Sequence, residues 1–473
     1  MTSDTRVRTR VRPAVNPTNQ VPSNSPSLPV HPLKIEYLAP SDIHPASRQV
    51  RQHKKDKLPK LKANIERFGV IVPILISSNR EIIDGHAVWQ AAQELGLPTI
   101  PTVMLGRLTQ AEQSVLRIAL NRLPQLAEWD EGALKKEFEI LYSLDIDLAP
   151  LTGFDTPQID YFMMASDAPH EPDAADELPA IDPRIAPVTR RGDLFLFKGG
   201  HRLSCEDARD GIAYAALMAG EKAHVVSADL PYGCAIEGHV SGLGKHKHKN
   251  FVMGAGEMNE PELQAFFTDI FRQLAEHTVD GAILFSFVDF RSLYPMLAAG
   301  RSVFTELKNI CTWDKGSGGM GSLYRSASEF ATVWKNGRAP HQNHVQLGKF
   351  GRSRTTVWQV PGLAQFGRGR DEALASHPTK KPTALIMDCI LDVSSRGDIV
   401  LDPTVGSGTT LAAAHKTGRR GYGLELDPLY CDVAVKMMEV LTGEPAVHAE
   451  TGLTFQELAE RRAADAADAV QAA

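Results

Sequence analysis

Two stretches carry residue types that can do chemistry. In LDPTVGSGTTLAAA, residues 401–414, an apolar run passes through Asp402, Pro403 and Thr404 into a turn holding Gly406 and Gly408. An Ala-rich segment with helical spacing follows from Thr409. Glycines there permit positive φ and close backbone approach, and a helix start offers unpaired N–H groups to a carboxylate or phosphate. A Gly-x-Gly alone also fits a plain strand–helix turn, and no Lys precedes Thr409 as a P-loop requires. About 20 residues on, a second strand places Glu425 and Asp427 at its end, where a carboxylate can accept hydrogen bonds from ribose hydroxyls. The pair reads as a nucleoside-binding half of a doubly wound α/β sheet. The other stretch, HVVSADLPYG, is an apolar strand running into Asp229, Leu230, Pro231 and Tyr232. A carboxylate and an aromatic at a strand's carboxyl end stand where open α/β sheets bind ligands, although such a tetrapeptide also fits a simple turn.

The elements that must position these residues lie in a chain of 473 residues, 43% hydrophobic and 23% charged, which is enough for two or three domains. No apolar run reaches membrane-spanning length, and the early arginines lack an apolar segment behind them, so the expected location is cytoplasmic, with no membrane partner. The five cysteines show no CxxC spacing, so neither a metal site nor a disulfide framework is expected. A net charge of −6 excludes a uniformly basic nucleic-acid binder but leaves room for a local basic face.

Residues 1–30, rich in Pro, Ser, Asn and Arg, read as a disordered tail. Residues 31–108 alternate strand and helix patterns, ending in EIIDG, HAVWQAAQELG and TIPTVML. A basic run from Arg48 to Lys62 lies here, as a solvated face or a phosphate-tracking one. Residues 109–165 read as a helical extension that opens on a Thr109–Glu112 capping box, and they are too acidic to read a major groove. Residues 166–191, acidic and proline-rich, read as the linker. Residues 192–450 alternate strands and helices, and 451–473 read as an amphipathic helix with a frayed tail.

The stretch through Asp84, Gly85, His86, Ala87, Val88 and Trp89 resembles the ParB-like N-terminal fold, an α+β module. Val88 and Trp89 stand where that family carries nucleotide-contacting arginines, so a docking role without a nucleotide switch is expected. Residues 229–232 resemble motif IV of amino-group DNA methyltransferases, residues 402–410 resemble their S-adenosylmethionine loop, and HPTKKP, residues 377–382, resembles HPTQKP. Motif IV precedes the cofactor loop, the permuted order of the β class. The whole chain is similar to ParB–methyltransferase fusions. The resemblance implies a Rossmann-like methyltransferase domain that transfers a methyl group from S-adenosylmethionine to an exocyclic amine of a flipped base in double-stranded DNA, adenine favoured over cytosine. Asp229 and the Leu230 carbonyl would hold the amine, and Tyr232 would stack on the base.

Cofactor contacts are expected at Asp402, Pro403, Thr404, Gly406, Gly408, Thr409, Glu425 and Asp427. Thr379 and Lys381 are expected near the methionine end, and Asp207 near the adenine. Two departures stand out: Leu230 replaces a proline, and Thr404 replaces a phenylalanine that would wall the adenine. Lys245, Lys247 and Lys249 follow the catalytic turn in a Gly/Lys/His-rich loop. Lys349, Arg352 and Arg354 belong to a basic segment, 335–381, in which only Asp371 and Glu372 are acidic. Both are expected to contact DNA phosphates. Trp334, Trp358 and Tyr324 are expected in the core. A non-enzymatic DNA-binding adaptor is the alternative reading, and a homodimer is left open.

Overall fold

The computed structural model describes residues 32–46, 57–127, 129–144, 146, 148–164, 186–231, 258–316, 323–345, 354–362 and 381–471. Among the helices it describes, none is long and apolar enough to cross a membrane. The chain divides into two compact units, Met1–Glu128 and Trp129–Ala473. Both combine α and β elements.

In the first unit four short strands form one sheet in the order β1 (Ile35–Leu38), β4 (Ile100–Met104), β2 (Ile74–Ile76), β3 (Ile82–Asp84). The sequence pattern predicts a longer strand before Ile74, but Pro73 cannot donate to a ladder, and Ile71 and Val72 lie exposed. Ile74, Ile76, Ile82, Ala92 and Ile100 form the core. Between β3 and the helix His86–Glu94 the chain turns at Gly85, whose φ of 100° is closed to most side chains. A Cβ at Gly85 would also lie 3.1 Å from Ile74. Val88 and Trp89 pack against the core, and Trp89 Nε1 donates to the Pro40 carbonyl at 2.9 Å. These two residues have structural work in place of the arginines that the resemblance led one to expect. The Thr109–Glu112 capping box is formed.

In the second unit ten strands form one sheet. Its centre is a parallel run of β6 (His201–Cys205), β13 (Arg420–Glu425), β12 (Ile399–Asp402), β7 (Ala223–Ala228) and β8 (Thr278–Val288). Beyond β6, β5 (Leu194–Phe197) and β14 (Val447–His448) add antiparallel. Beyond β8 come β10 (Ser328–Lys335), β9 (Glu306–Asp314) and β11 (Val357–Gln359). The central strands read as unbroken apolar runs because both faces are covered, and Val400, Leu401, Val225, Val226 and Leu424 have essentially no exposure. From β12 the chain steps outward to β13, and from β7 it steps the other way to β8. The boundary between β7 and β12 is therefore a switch point, where the strand ends leave a crevice.

The unit boundary falls inside the stretch read as a helical extension. The helix Gln110–Arg122 lies in the first unit, whereas Glu131–Ser143, Leu148–Thr152 and Thr156–Met164 belong to the second. These three helices carry their own small core of Phe138, Leu148 and Ile159. Buried Asp160 anchors them, pairing with Arg396 and Arg419 at 2.9 Å each. Of the stretch read as linker, residues 186–191 are among those described, and they pack within the second unit. There Val188 N, Thr189 N and Thr189 Oγ1 donate to Asp432 at 2.7, 2.9 and 2.5 Å. The last helix runs Phe455–Gln471 without the expected early fraying, and its Arg462 grips Asp193 in a two-pronged pair, Nη2 to Oδ1 at 2.8 Å.

Candidate active site

The glycine turn and the Asp-Leu-Pro stretch meet at the switch point. The helix Thr409–Lys416 begins at Gly408, where φ is 99° and a Cβ would run into the Met437 side chain. No other residue type fits both conditions. Asp402, buried at the end of β12, accepts from Thr404 N at 2.9 Å. Burial pushes its carboxyl up to about 7, against the Thr410 and Thr404 hydrogen bonds, with the charges of Asp229 and Glu425 adding to the rise. Glu425, buried at the end of β13, accepts from Gly406 N through one carboxylate oxygen and from Asp427 N through the other, both at 2.8 Å. Burial pushes it, too, up to about 7 despite those bonds. Asp427 caps the helix Pro428–Thr442, accepting from Leu429 N at 2.9 Å. Pro403 is buried beneath the turn and Thr409 opens the helix.

Asp229 follows β7 directly. Its Oδ2 accepts from Lys381 Nζ at 2.7 Å, while Oδ1 is shielded from solvent and has no hydrogen-bond partner among the described residues. Burial raises the Asp229 pKa, and Lys381 opposes the rise. Lys381 is 3% exposed and also pairs with Glu329 Oε2 at 3.1 Å. The Phe287 and Trp313 rings lie 5.6 and 6.0 Å from its Nζ. Burial disfavours its charge, but the two carboxylates more than offset this, so Lys381 titrates above the ordinary lysine range. Lys381, expected near the methionine end, thus stands against the proposed catalytic carboxylate. Leu230, which stands where the resemblance led one to expect proline, is fully buried in the core. Pro231 is half-buried. Thr404 Oγ1 donates to the Asp229 carbonyl at 3.1 Å, so the residue that replaces an aromatic wall clips the two turns together.

Asp207 lies at the end of β6, beside β13, held by Arg209 at 2.7 Å. That hydrogen bond keeps its carboxyl below the usual range. Tyr232, Thr379, Lys245, Lys247, Lys249, Lys349 and Arg352 lie outside the described residues. Arg354 is a correction. Its guanidinium pairs with Asp388 and, at 2.8 Å, with Asp392, and it lies 5.1 Å from the Trp358 ring centre. It is an internal brace and not a free phosphate contact, because two acidic residues distant in sequence converge on it. Trp334 and Trp358 are buried as expected, but Tyr324 is 83% exposed. Sequence reasoning missed Glu329 and Lys315, which pair with each other behind Lys381. The one available signal was a glutamate inside the otherwise apolar strand pattern SEFATVW.

Residues 223–436 match the family model for DNA methylase, N6_N4_Mtase, and residues 26–121 match the ParB N-terminal domain. The chain thus joins a segment that matches the ParB N-terminal domain to one that matches the DNA methylase family. The methylase domain is similar to type II methyltransferase M.ScaI of Streptomyces caespitosus, 33% identical over 22% of this chain and 33% of that protein. It is also similar to type II methyltransferase M2.DpnII of Streptococcus pneumoniae, 31% identical over 31% of this chain and 58% of that protein. The chain spans about a third of the length of the first curated relatives it matches. Among solved structures, PvuII DNA methyltransferase, cytosine-N4-specific, covers 58% of this chain and 93% of its own at 12% identity, TM-score 0.39. ParB of Caulobacter crescentus, complexed with CTP-gamma-S, covers 28% of this chain and 77% of its own at 20% identity, TM-score 0.25.

Proposed function

We propose that this protein methylates an exocyclic amino group of a base in double-stranded DNA, with S-adenosylmethionine as donor and adenine as the favoured base. One observation carries the reading. A carboxylate, Asp229, stands at the carboxyl end of β7 with one oxygen fixed by Lys381 and the other without a partner among the described residues, clipped by Thr404 to the glycine turn of β12. A buried polar atom without a partner is uncommon, and here an amine N–H of substrate would satisfy it.

The residues around the glycine turn fit the cofactor. Burial raises the pKa of both Asp402 and Glu425, with the charges of Asp229 and Glu425 adding at Asp402 and that of Asp427 at Glu425, so a cationic ligand would relieve the clustered negative charge. Both oxygens of Glu425 accept backbone N–H groups, and a carboxylate so held by the backbone is placed to accept a ribose hydroxyl as well. When bound, the cofactor supplies a methyl group on a sulfonium, which departs as a thioether.

The chain's own residues supply alignment. The lone pair of an exocyclic amine is delocalised into the ring, so the amine attacks only when held out of conjugation. Asp229 Oδ1 accepts one N–H and the Leu230 carbonyl accepts the other, which turns the lone pair toward the methyl group. As the N–CH₃ bond forms, the amine proton passes toward Asp229. Tyr232 would stack on the base swung out of the duplex. The lysines at 245, 247, 249 and 349, with Arg352, are proposed to track the phosphates.

Asp229→Ala tests the assignment. The variant is expected to lose methyl transfer while binding both DNA and cofactor within a few fold of the unaltered chain, because the carboxylate serves the target amine. Transfer is read by mass spectrometry of nucleosides from treated DNA, which also distinguishes N6-methyladenine from N4-methylcytosine. Undiminished transfer by the variant would remove Asp229 from the chemistry.

A further inference from the structure

Starting at Asp229, four charged side chains alternate in sign: Asp229, Lys381, Glu329, Lys315. They come from four separate parts of the fold. Asp229 follows β7, and Lys381 precedes the helix Thr383–Val393. Glu329 is the second residue of β10, and Lys315 follows β9. β10 pairs with β8, and β8 pairs with β7, so Glu329 reaches the site from two strands away. Lys381 is bidirectional, at 2.7 Å from Asp229 and 3.1 Å from Glu329. Glu329 in turn pairs with Lys315, whose side chain is 28% exposed. Lys315 N donates to the Ala327 carbonyl at 2.9 Å, which pins the segment that carries it, and its Nζ lies 5.3 Å from the Trp313 ring.

Burying such a row is expensive, and apolar residues of similar volume usually hold a core at least as well. A role in stability alone therefore accounts poorly for it. What the row does is divide charge. With Asp229 as its sole partner, Lys381 would hold that carboxylate tightly and leave it a poor acceptor for an amine proton. Glu329 takes up part of the lysine's charge, and Lys315 limits how far it does so. Burial acts to raise the pKa of Glu329 but the two lysines overcome this, so it is ionised in the neutral range and able to play this part.

We propose that Glu329 and Lys315 are positioning residues for methyl transfer, setting through Lys381 how strongly Asp229 accepts the proton of the target amine. The proposal rests on the reading of Asp229 given above. The charged groups facing Asp229 among the described residues are Lys381, Glu329 and Lys315, with Asp402 across β12. Only Glu329 and Lys315 can be altered without touching either the proposed catalytic carboxylate or the cofactor turn.

The test is the pH dependence of the single-turnover transfer rate in the full chain at saturating S-adenosylmethionine and DNA, for Glu329→Gln, Glu329→Asp and Lys315→Met. Saturation removes the titrations that belong to cofactor binding. Glu329→Gln should lower the plateau rate by about tenfold and move the acidic limb down by about one to two pH units, the size expected for two carboxylates sharing one cation at an effective dielectric near 20. Glu329→Asp should restore most of the rate. Lys315→Met should move the same limb upward. A network that served only stability would lower the amount of folded protein and leave every limb in place. Limbs superimposable on that of the unaltered chain, or both variants shifting in one direction, would overturn the proposal. If Glu329→Gln does not fold, Lys315→Met decides alone, an upward shift supporting the proposal and an unmoved limb overturning it. An active Asp229→Ala would instead remove the underlying reading, so the two failures are distinct.

Discussion

Cofactor affinity should depend steeply on pH below neutrality, and Glu425→Gln should remove part of that dependence. The Glu425 carboxyl lies at about 7 against an ordinary 4.5, because burial outweighs the N–H bonds from Gly406 and Asp427. A raised carboxyl favours the neutral form in the folded chain. Its contribution to stability is therefore full below the unfolded value and is lost as pH rises through about 7. A ligand whose hydroxyls donate to this carboxylate and whose sulfonium favours negative charge binds the ionised form. Binding must then release a proton at any pH where the group is protonated in the free protein.

For Glu425 alone, affinity should fall about tenfold for each pH unit below 7. Asp402, also at about 7, can add a second factor of the same size. Isothermal titration of the full chain with S-adenosylmethionine between about pH 5.5 and 8, in buffers of different ionisation heat, measures both affinity and proton count. Glu425→Gln should bind more weakly at pH 8 and lose one decade per unit of slope below 7. An affinity that is flat with pH in the unaltered chain, or a variant with the same slope, would refute the linkage. In the same range the thermal shift produced by the cofactor should grow as pH rises.

Two further outcomes are expected. Asp160→Asn leaves Arg396 and Arg419, the latter 2% exposed, without their carboxylate, and should cost about 3–5 kcal/mol in urea unfolding of the full chain; a loss below about 1 kcal/mol would show that the pair is replaced locally. The full chain titrated with CTP should show no micromolar binding, because Val88 and Trp89 pack against the core of the first unit where cationic residues would be needed for a triphosphate; saturable micromolar heat would show that other residues supply the charge.

The sequence by itself determined whatever depends on short range. The Gly406–Gly408 turn, the strand leading into Asp229, the acid at the end of β13 and the Thr109 capping box each rest on a few consecutive residues whose backbone preferences and side-chain reach are local. The boundary between the two units does not show in composition: it falls at Glu128 and Trp129, inside a continuous helical pattern, whereas the acidic proline-rich stretch 166–191 lies within the second unit. Tertiary structure decided which charges meet. Arg354 counts as a free cation in the basic segment 335–381 until Asp388 and Asp392 close on it, and Lys381 until Asp229 and Glu329 do. Glu329 looks like a stray glutamate in an apolar strand until β10 is set beside β8. Likewise Asp160, one acid among many in the helical stretch, becomes an anchor only when Arg396 and Arg419 reach it from the far end of the chain. Electrostatic partners are chosen by proximity in space and by loss of solvent, and neither is encoded in spacing along the chain.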